Sequence, residues 1–230
     1  MATPAAPRGF RAALDGRPQL EVISEVKRRS PSKGDLFLDL DPARLAGEYA
    51  AGGAACLSVL TDEEWFGGSA ADLAAARDAV ALPVLRKDFT VDARDVVDAR
   101  LMGADCVLLI AAALDDVELG DFHDLAREIG LDVLVEIHDE PELERAMAVG
   151  ADLVGVNQRD LVTFEVDHER ARRMAPLMPP GVVRVAESGV RGRDDARSLA
   201  VAGYHAVLVG ETLGTSGHPA AAVRDLCVAR

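Results

Sequence analysis

Short apolar runs rich in valine, leucine and isoleucine recur along the chain and alternate with stretches of helical spacing. The runs are LEVISEV (20–26), ACLSVL (55–60), LPVL (82–85), DCVLLI (105–110), DVLVEI (132–137), DLVGVN (152–157), VVRVAES (182–188) and AVLVG (206–210). Between them, PARLAGEYAAGG, ARDVVDARLMG, EPELERAMAVG and RDDARSLAVAG place apolar residues at helical intervals and close on glycine, a common helix C-terminal signal. Strand–helix alternation repeated eight times, with runs apolar on both faces, predicts parallel strands joined by crossover helices. Eight such units in roughly 200–250 residues is the count of a (β/α)8 (TIM) barrel. A doubly wound open sheet is the competing architecture. It would need a glycine-rich loop after its first strand, and EVKRRSPSKG (25–34) is not one. No linker or low-complexity segment interrupts the pattern, so residues 1–230 read as one barrel domain, with 1–19 as an N-terminal extension.

Composition narrows the class. The chain is 49% hydrophobic and 28% charged but only 4% aromatic, and Ala, Val and Leu dominate, as in helix-covered parallel sheets. No apolar stretch approaches the roughly 20 residues that cross a membrane. The opening MATPAAPRGFRAALDGRP lacks a signal peptide's apolar centre, so a cytoplasmic protein without membrane partners is expected. Cys56, Cys106 and Cys227 are odd in number, far apart and set among apolar neighbours. They are expected to be buried free thiols, and no Cys/His spacing suits a metal. A net charge of −14 argues against nucleic acid, whose phosphates need a basic face. A small anionic substrate needs only a local positive site.

That site is suggested by EVKRRSPSKG, which gathers Lys27, Arg28, Arg29 and Lys33 in an otherwise acidic chain. Of the 25 Lys and Arg residues, only Lys27, Lys33 and Lys87 are lysine. Arginine holds its proton at any ordinary pH, whereas a buried lysine can exchange one, so these three positions are the first candidates for chemistry. In a barrel of this kind chemistry sits where strands end. Those positions hold Glu25 and Lys27 on the first run, Lys87 on the third, Glu136 on the fifth, Asn157 on the sixth, and Glu187 and Ser188 on the seventh. Glu25 and Lys27 are two apart and share one side of a strand. A lone strand-end Glu or Lys is ordinarily an ion pair or a solvated residue. The convergence of these strand-end residues on one rim is much harder to explain that way. His138 reads as a loop or helix-start residue, because Glu136 and His138 alone are too few ligands for a metal. Trp65 and Phe66 before GGS fit simple loop packing as well as a substrate wall.

Ser188-Gly189 after the seventh run and Gly210-Glu211 after the eighth suit close backbone approach to a ligand. Barrels often bind phosphate in the loops after strands 7 and 8. In a closed barrel Ser30, Ser32 and Lys33 of the opening loop lie beside strand 8, and together these residues point to a phosphate ester.

EVKRRSPSKG, LRKDF, VEIHDE, GVNQRDL, AESGV and LVGETL, in that order and spacing, resemble the indole-3-glycerol phosphate synthase family, from about Phe10 to the C-terminus. Other phosphate-binding barrels of tryptophan biosynthesis lack KRxSPSKG followed by RKDF. The resemblance implies a carboxy-lyase that converts 1-(2-carboxyphenylamino)-1-deoxyribulose 5-phosphate to indole-3-glycerol phosphate, releasing carbon dioxide and water, without cofactor or metal. It implies Lys87 as the principal general acid on the substrate carbonyl. Lys27 would bind the substrate carboxylate and assist loss of hydroxide. Glu136 and Glu25 would serve the proton transfers, and Asn157 and Glu187 would position the substrate, with Arg159 close by. Ser30, Lys33, Ser188, Gly189, Gly210 and Glu211 fall at the phosphate end, while Pro31, Phe66 and Phe89 match apolar walls around the anthranilate ring. Gln158 stands where the family pattern has a second asparagine. The N-terminal extension is shorter than the family's, which predicts a more open barrel mouth.

The chemistry read from the residues agrees, since ring closure, decarboxylation and dehydration call for a proton donor, a carboxylate base and cations facing two anionic ends. A desolvated lysine beside another lysine is expected to have a lowered pKa. Competing functions are a Schiff-base aldolase with Lys87 as nucleophile, a specialised or weakly active relative acting on a related sugar phosphate, and a non-catalytic sugar-phosphate-binding barrel. A monomer or weak homo-oligomer is expected.

Overall fold

The structure, a computed structural model, describes residues 5–31, 33–37 and 39–230. Ser32 of the phosphate reading lies outside the described residues. Eight parallel strands close into a barrel: β1 (Glu21–Val26), β2 (Cys56–Leu60), β3 (Val84–Lys87), β4 (Cys106–Ile110), β5 (Asp132–Ile137), β6 (Leu153–Asn157), β7 (Val183–Glu187) and β8 (Ala206–Val209). Each pairs with its sequence neighbour, and β8 closes on β1 with Glu21 opposite Ala206. The open-sheet alternative is thereby excluded. A short antiparallel hairpin, Arg29–Ser30 with Gly34–Asp35, shapes the opening loop.

The outer helices are α2 (Pro42–Gly52), α4 (Ala70–Ala79), α5 (Ala93–Leu101), α6 (Asp116–Glu128), α7 (Glu140–Ala148), α8 (Arg170–Met174), α9 (Arg193–Val201) and α11 (Pro219–Leu226), with short turns α3 (Glu63–Phe66) and α10 (Glu211–Gly214). Aspartate N-caps start several of them. Asp41, Asp92, Asp115 and Asp139 each accept backbone N–H bonds from the first helical turn. Among the described residues no helix is long and apolar enough to cross a membrane.

Seven strands lie where the apolar runs predict, but β3 sits two residues later than LPVL. Pro83 cannot donate to the ladder, and the strand continues through Arg86 and Lys87. Arg86 is tolerated in a buried strand because its guanidinium bonds Asp88 at 3.0 Å, Thr61 Oγ1 at 3.2 Å and the Asp95 carbonyl at 3.1 Å.

The apolar interior has two layers. Ile23, Cys56, Leu85, Cys106, Leu134 and Val185 are among the side chains that fill the barrel, and Phe10 and Leu14 of α1 (Phe10–Leu14) join this inner cluster. A larger layer joins barrel and helices. The Arg8 and Arg11 amides donate to Asp105 and Asp132 at the starts of β4 and β5, at 2.8 and 2.9 Å. The described part of the extension therefore plugs the N-terminal end, opposite the mouth. Of the three thiols, Cys56 and Cys106 are buried and Cys227 is only half-buried, because it follows α11 where the chain returns to the surface.

Candidate active site

The strand ends bring the predicted carboxylates and lysines together. Lys87 Nζ lies 2.9 Å from Glu136 Oε2 and 3.6 Å from Glu187 Oε2, so the ends of β3, β5 and β7 share one ion cluster. Asn157 at the end of β6 donates from Nδ2 to Glu136 Oε1 at 3.0 Å. Register explains the meeting, since Asn157 stands opposite Glu187 and each strand delivers its last inward residue to the same rim. The Lys27 ammonium donates to Glu25 Oε1, as two same-side residues of one strand should. Glu136 and Glu187 are 1% and 2% exposed, whereas Lys87 keeps 15%, so the acids are sunk and the ammonium faces the mouth.

Two glycines make room for these acids. A Cβ on Gly155 of β6 would stand 2.0 Å from Glu187 Oε1, and one on Gly210 would stand 2.3 Å from Glu25 Oε1. Gly155 escaped the sequence reading, although a glycine inside the apolar run DLVGVN is a signal of close approach.

The electrostatics depart from expectation at Lys87. Burial pulls its pKa down, but the charges of Glu136, Glu187 and Glu25 outweigh burial and leave it above the ordinary lysine value. The lowered value expected from a neighbouring lysine fails because Lys27 is engaged by Glu25, while the groups closest to Lys87 are carboxylates. The two acids separate. Burial and then repulsion from Glu136 push Glu187 up to about 8. Burial also pushes Glu136 up, yet Lys87 and the Asn157 amide bring it below the usual carboxylate range. Near neutrality the cluster thus holds an ammonium, an ionised acid and a protonated acid, the pattern of an acid/base site.

The phosphate-end candidates lie on the loops after β7, β8 and β1. Ser188 and Gly189 both adopt left-handed backbone, with φ of 64° and 73°. Lys33 Nζ pairs with Glu211 Oε1 at 3.4 Å, which ties the opening loop to the start of α10. Ser30 is buried in the hairpin and Pro31 is exposed. The other opening cations are also paired, Arg28 with Asp72 at 2.8 Å and Arg29 with Asp35 at 3.9 Å.

Phe66 and Phe89 approach with ring centroids 6.5 Å apart, forming an apolar wall between the loops after β2 and β3. Trp65 is 52% exposed, and Phe66 is the half-buried member of that dipeptide. Arg159 belongs to the β6 loop, but its guanidinium donates to the Phe164 carbonyl at 3.0 Å. Only its amide reaches the cluster, donating to Asn157 Oδ1 at 3.0 Å. His138 is nearer the chemistry than its loop reading implied, with Nε2 3.7 Å from Glu136 Oε1 and Nδ1 3.1 Å from Glu142.

A closed parallel barrel with this acid/base cluster at its strand ends defines a (β/α)8-barrel enzyme. The family model for indole-3-glycerol phosphate synthase matches residues 1–226, and the chain belongs to that family, whose members are carboxy-lyases. The indole-3-glycerol phosphate synthase of Nocardioides sp. (strain ATCC BAA-499 / JS614) is 60% identical over 205 residues, which is 89% of this chain and 79% of that protein. The one from Arthrobacter sp. (strain FB24) is 51% identical, covering 95% of this chain and 82% of its own length. Indole-3-glycerol phosphate synthase 1 of Streptomyces coelicolor is 54% identical, covering 95% and 81%. Among solved structures, a thiamine phosphate pyrophosphorylase from Pyrococcus furiosus superposes with TM-score 0.68 at 17% identity, covering 90% of this chain and 93% of that one. This last likeness concerns the fold alone.

Proposed function

We propose that the chain closes the indole ring of 1-(2-carboxyphenylamino)-1-deoxyribulose 5-phosphate, giving indole-3-glycerol phosphate, carbon dioxide and water. The observation that carries this reading is Lys87 Nζ at the strand ends, 2.9 Å from buried Glu136 and 3.6 Å from buried Glu187. Lys87 donates its proton to the substrate carbonyl oxygen as the ring carbon bearing the carboxylate attacks the carbonyl carbon. Carbon dioxide then leaves from that ring carbon, and its bonding electrons restore the aromatic ring. This half consumes one proton. Glu187, whose Oε2 lies 3.6 Å from Lys87, is the nearest carboxyl that can replace it, and solvent restores its proton between turnovers. In the second half the new hydroxyl leaves as water with a proton from Lys27, while Glu25 removes the proton from the former methylene carbon. Because Lys27 and Glu25 are hydrogen-bonded, the proton can return between them.

A raised pKa keeps Lys87 charged in the free site, so its proton is delivered only as the field of the surrounding carboxylates is relieved during reaction. A raised pKa does not suit a Schiff-base nucleophile, which must be neutral. Uptake of a proton by Glu136 or Glu25 would weaken the field that keeps Lys87 charged. Phe66 and Phe89 serve as the wall for the anthranilate ring, Asn157 orients Glu136, and the loops after β7 and β8 hold the phosphate with Lys33 nearby. A cytoplasmic setting agrees with the free thiols. The test is to mix purified protein with the substrate and follow indole fluorescence. Turnover with one carbon dioxide per indole supports the reading, and absence of an indole product, or a borohydride-trapped lysine adduct, contradicts it.

A further inference from the structure

We propose that Gln158 is a positioning residue for the phosphate end of the site: its side-chain amide sets the direction of the Gly189 N–H. The inference rests on the reading that the β7 loop holds the substrate phosphate. Gln158 is 2% exposed and donates from Nε2 to the Ser188 carbonyl at 2.8 Å. Its own backbone is fixed on both sides, with its N–H on the Glu187 carbonyl at 3.0 Å and its carbonyl accepting from Asp167 at 2.8 Å. The side chain therefore reaches Ser188 from an anchored origin.

What it holds would not hold itself. Ser188 has φ of 64°, a left-handed conformation that costs a residue bearing a Cβ, and Gly189 follows with φ of 73°. A Cβ on Gly189 would lie 2.6 Å from Val166 Cγ1, so the loop is also pressed against the β6 loop. The Ser188–Gly189 peptide is trans, and in a planar trans peptide the carbonyl and the following N–H point in opposite directions. Fixing the Ser188 oxygen on Gln158 aims the Gly189 N–H the other way. The Gly189 N–H, two residues beyond β7, has no hydrogen-bond partner among the described residues, so it is left to donate to a ligand.

Inorganic phosphate serves as the probe, as a competitive inhibitor, against wild type, Gln158→Met and Gln158→Leu. Both variants remove the side-chain donor without adding a charge, and either one that folds carries the test. Loss of this bond leaves a part-buried carbonyl unpaired and its peptide free to turn, so KM and the phosphate inhibition constant should rise together by about 5–30-fold. The kcat should stay within about twofold, and kcat/KM for the substrate lacking its phosphate should not change, on the scale of an intact catalytic cluster. Wild-type values of KM and phosphate inhibition in a folded variant, even one with a lower Tm, overturn the proposal and leave Gln158 merely structural. If phosphate fails to compete even in wild type, the phosphate reading itself is wrong and this inference falls with it.

Discussion

Gly155→Ala adds one methyl group beside the buried acid of the cluster. The new Cβ would stand 2.0 Å from Glu187 Oε1 and 3.1 Å from its Cδ. Restoring an ordinary 3.4 Å contact from 2.0 Å requires the carboxylate to withdraw by about 1.4 Å. The atom struck is the far end of a side chain, so the fold should survive with a loss of about 1–2 kcal/mol, toward the low end of overpacking. Glu187 is 2% exposed, so its carboxylate must withdraw within a packed interior. Its shift must alter the 3.6 Å contact with Lys87. Misplacement of about 1 Å in a catalytic constellation costs on the order of 10²-fold, or about 2.7 kcal/mol of barrier. Single-turnover indole fluorescence reads the rate of the chemical step, and a melting curve reads stability. Gly47→Ala is the control, because nothing lies within 4 Å of its Cβ, and it should leave that rate unchanged. A folded Gly155→Ala protein with wild-type single-turnover rate would refute the claim that Glu187's position governs the chemistry.

Ser188→Asp would put a carboxylate against the proposed phosphate position, and KM should rise at least about tenfold, whereas Gly210→Asp also displaces Glu25 and should lower kcat as well as raise KM. Unchanged KM in both variants moves the phosphate elsewhere. Glu187 also makes a pH prediction. Its folded pKa is raised, so between the ordinary carboxylate value and about 8 the folded protein keeps a proton that the unfolded chain has released. That contribution to stability is present at the acid end of the window and is lost as pH rises through it. Glu187→Gln cannot ionise, so its Tm relative to wild type should climb from pH 5 to pH 8, and a flat difference would count against a protonated Glu187.

Much of this was legible in the sequence for physical reasons. Parallel strands covered on both faces must be apolar on both faces, so the strands announced themselves, and the strand-end rule then picked out Glu25, Lys27, Lys87, Glu136, Asn157 and Glu187. Strand β3 was placed early because Arg86 and Lys87 look like loop residues until their partners Asp88 and Glu136 are known. Gly155 and Gln158 depend on which atoms of β7 lie opposite them, a matter of register between strands about 30 residues apart. The direction of the Lys87 pKa could not be read from charge types. It depends on Lys27 being taken by Glu25 and on acids approaching Lys87 from β5 and β7.

The central claim is that Lys87 delivers a proton and does not simply supply charge. Lys87→Arg keeps a cation beside Glu136, but guanidinium holds its proton even when the surrounding carboxylates are neutralised, whereas an ammonium relieved of that field can release one. Lys33→Arg makes the same exchange at a half-exposed residue paired with Glu211. Measured side by side in single turnover, Lys87→Arg should lose roughly 10²-fold or more in rate while keeping its fold and some substrate affinity, and Lys33→Arg should lose far less. A Lys87→Arg enzyme with near wild-type kcat and a rate-limiting chemical step would contradict the account and make Lys87 an electrostatic residue.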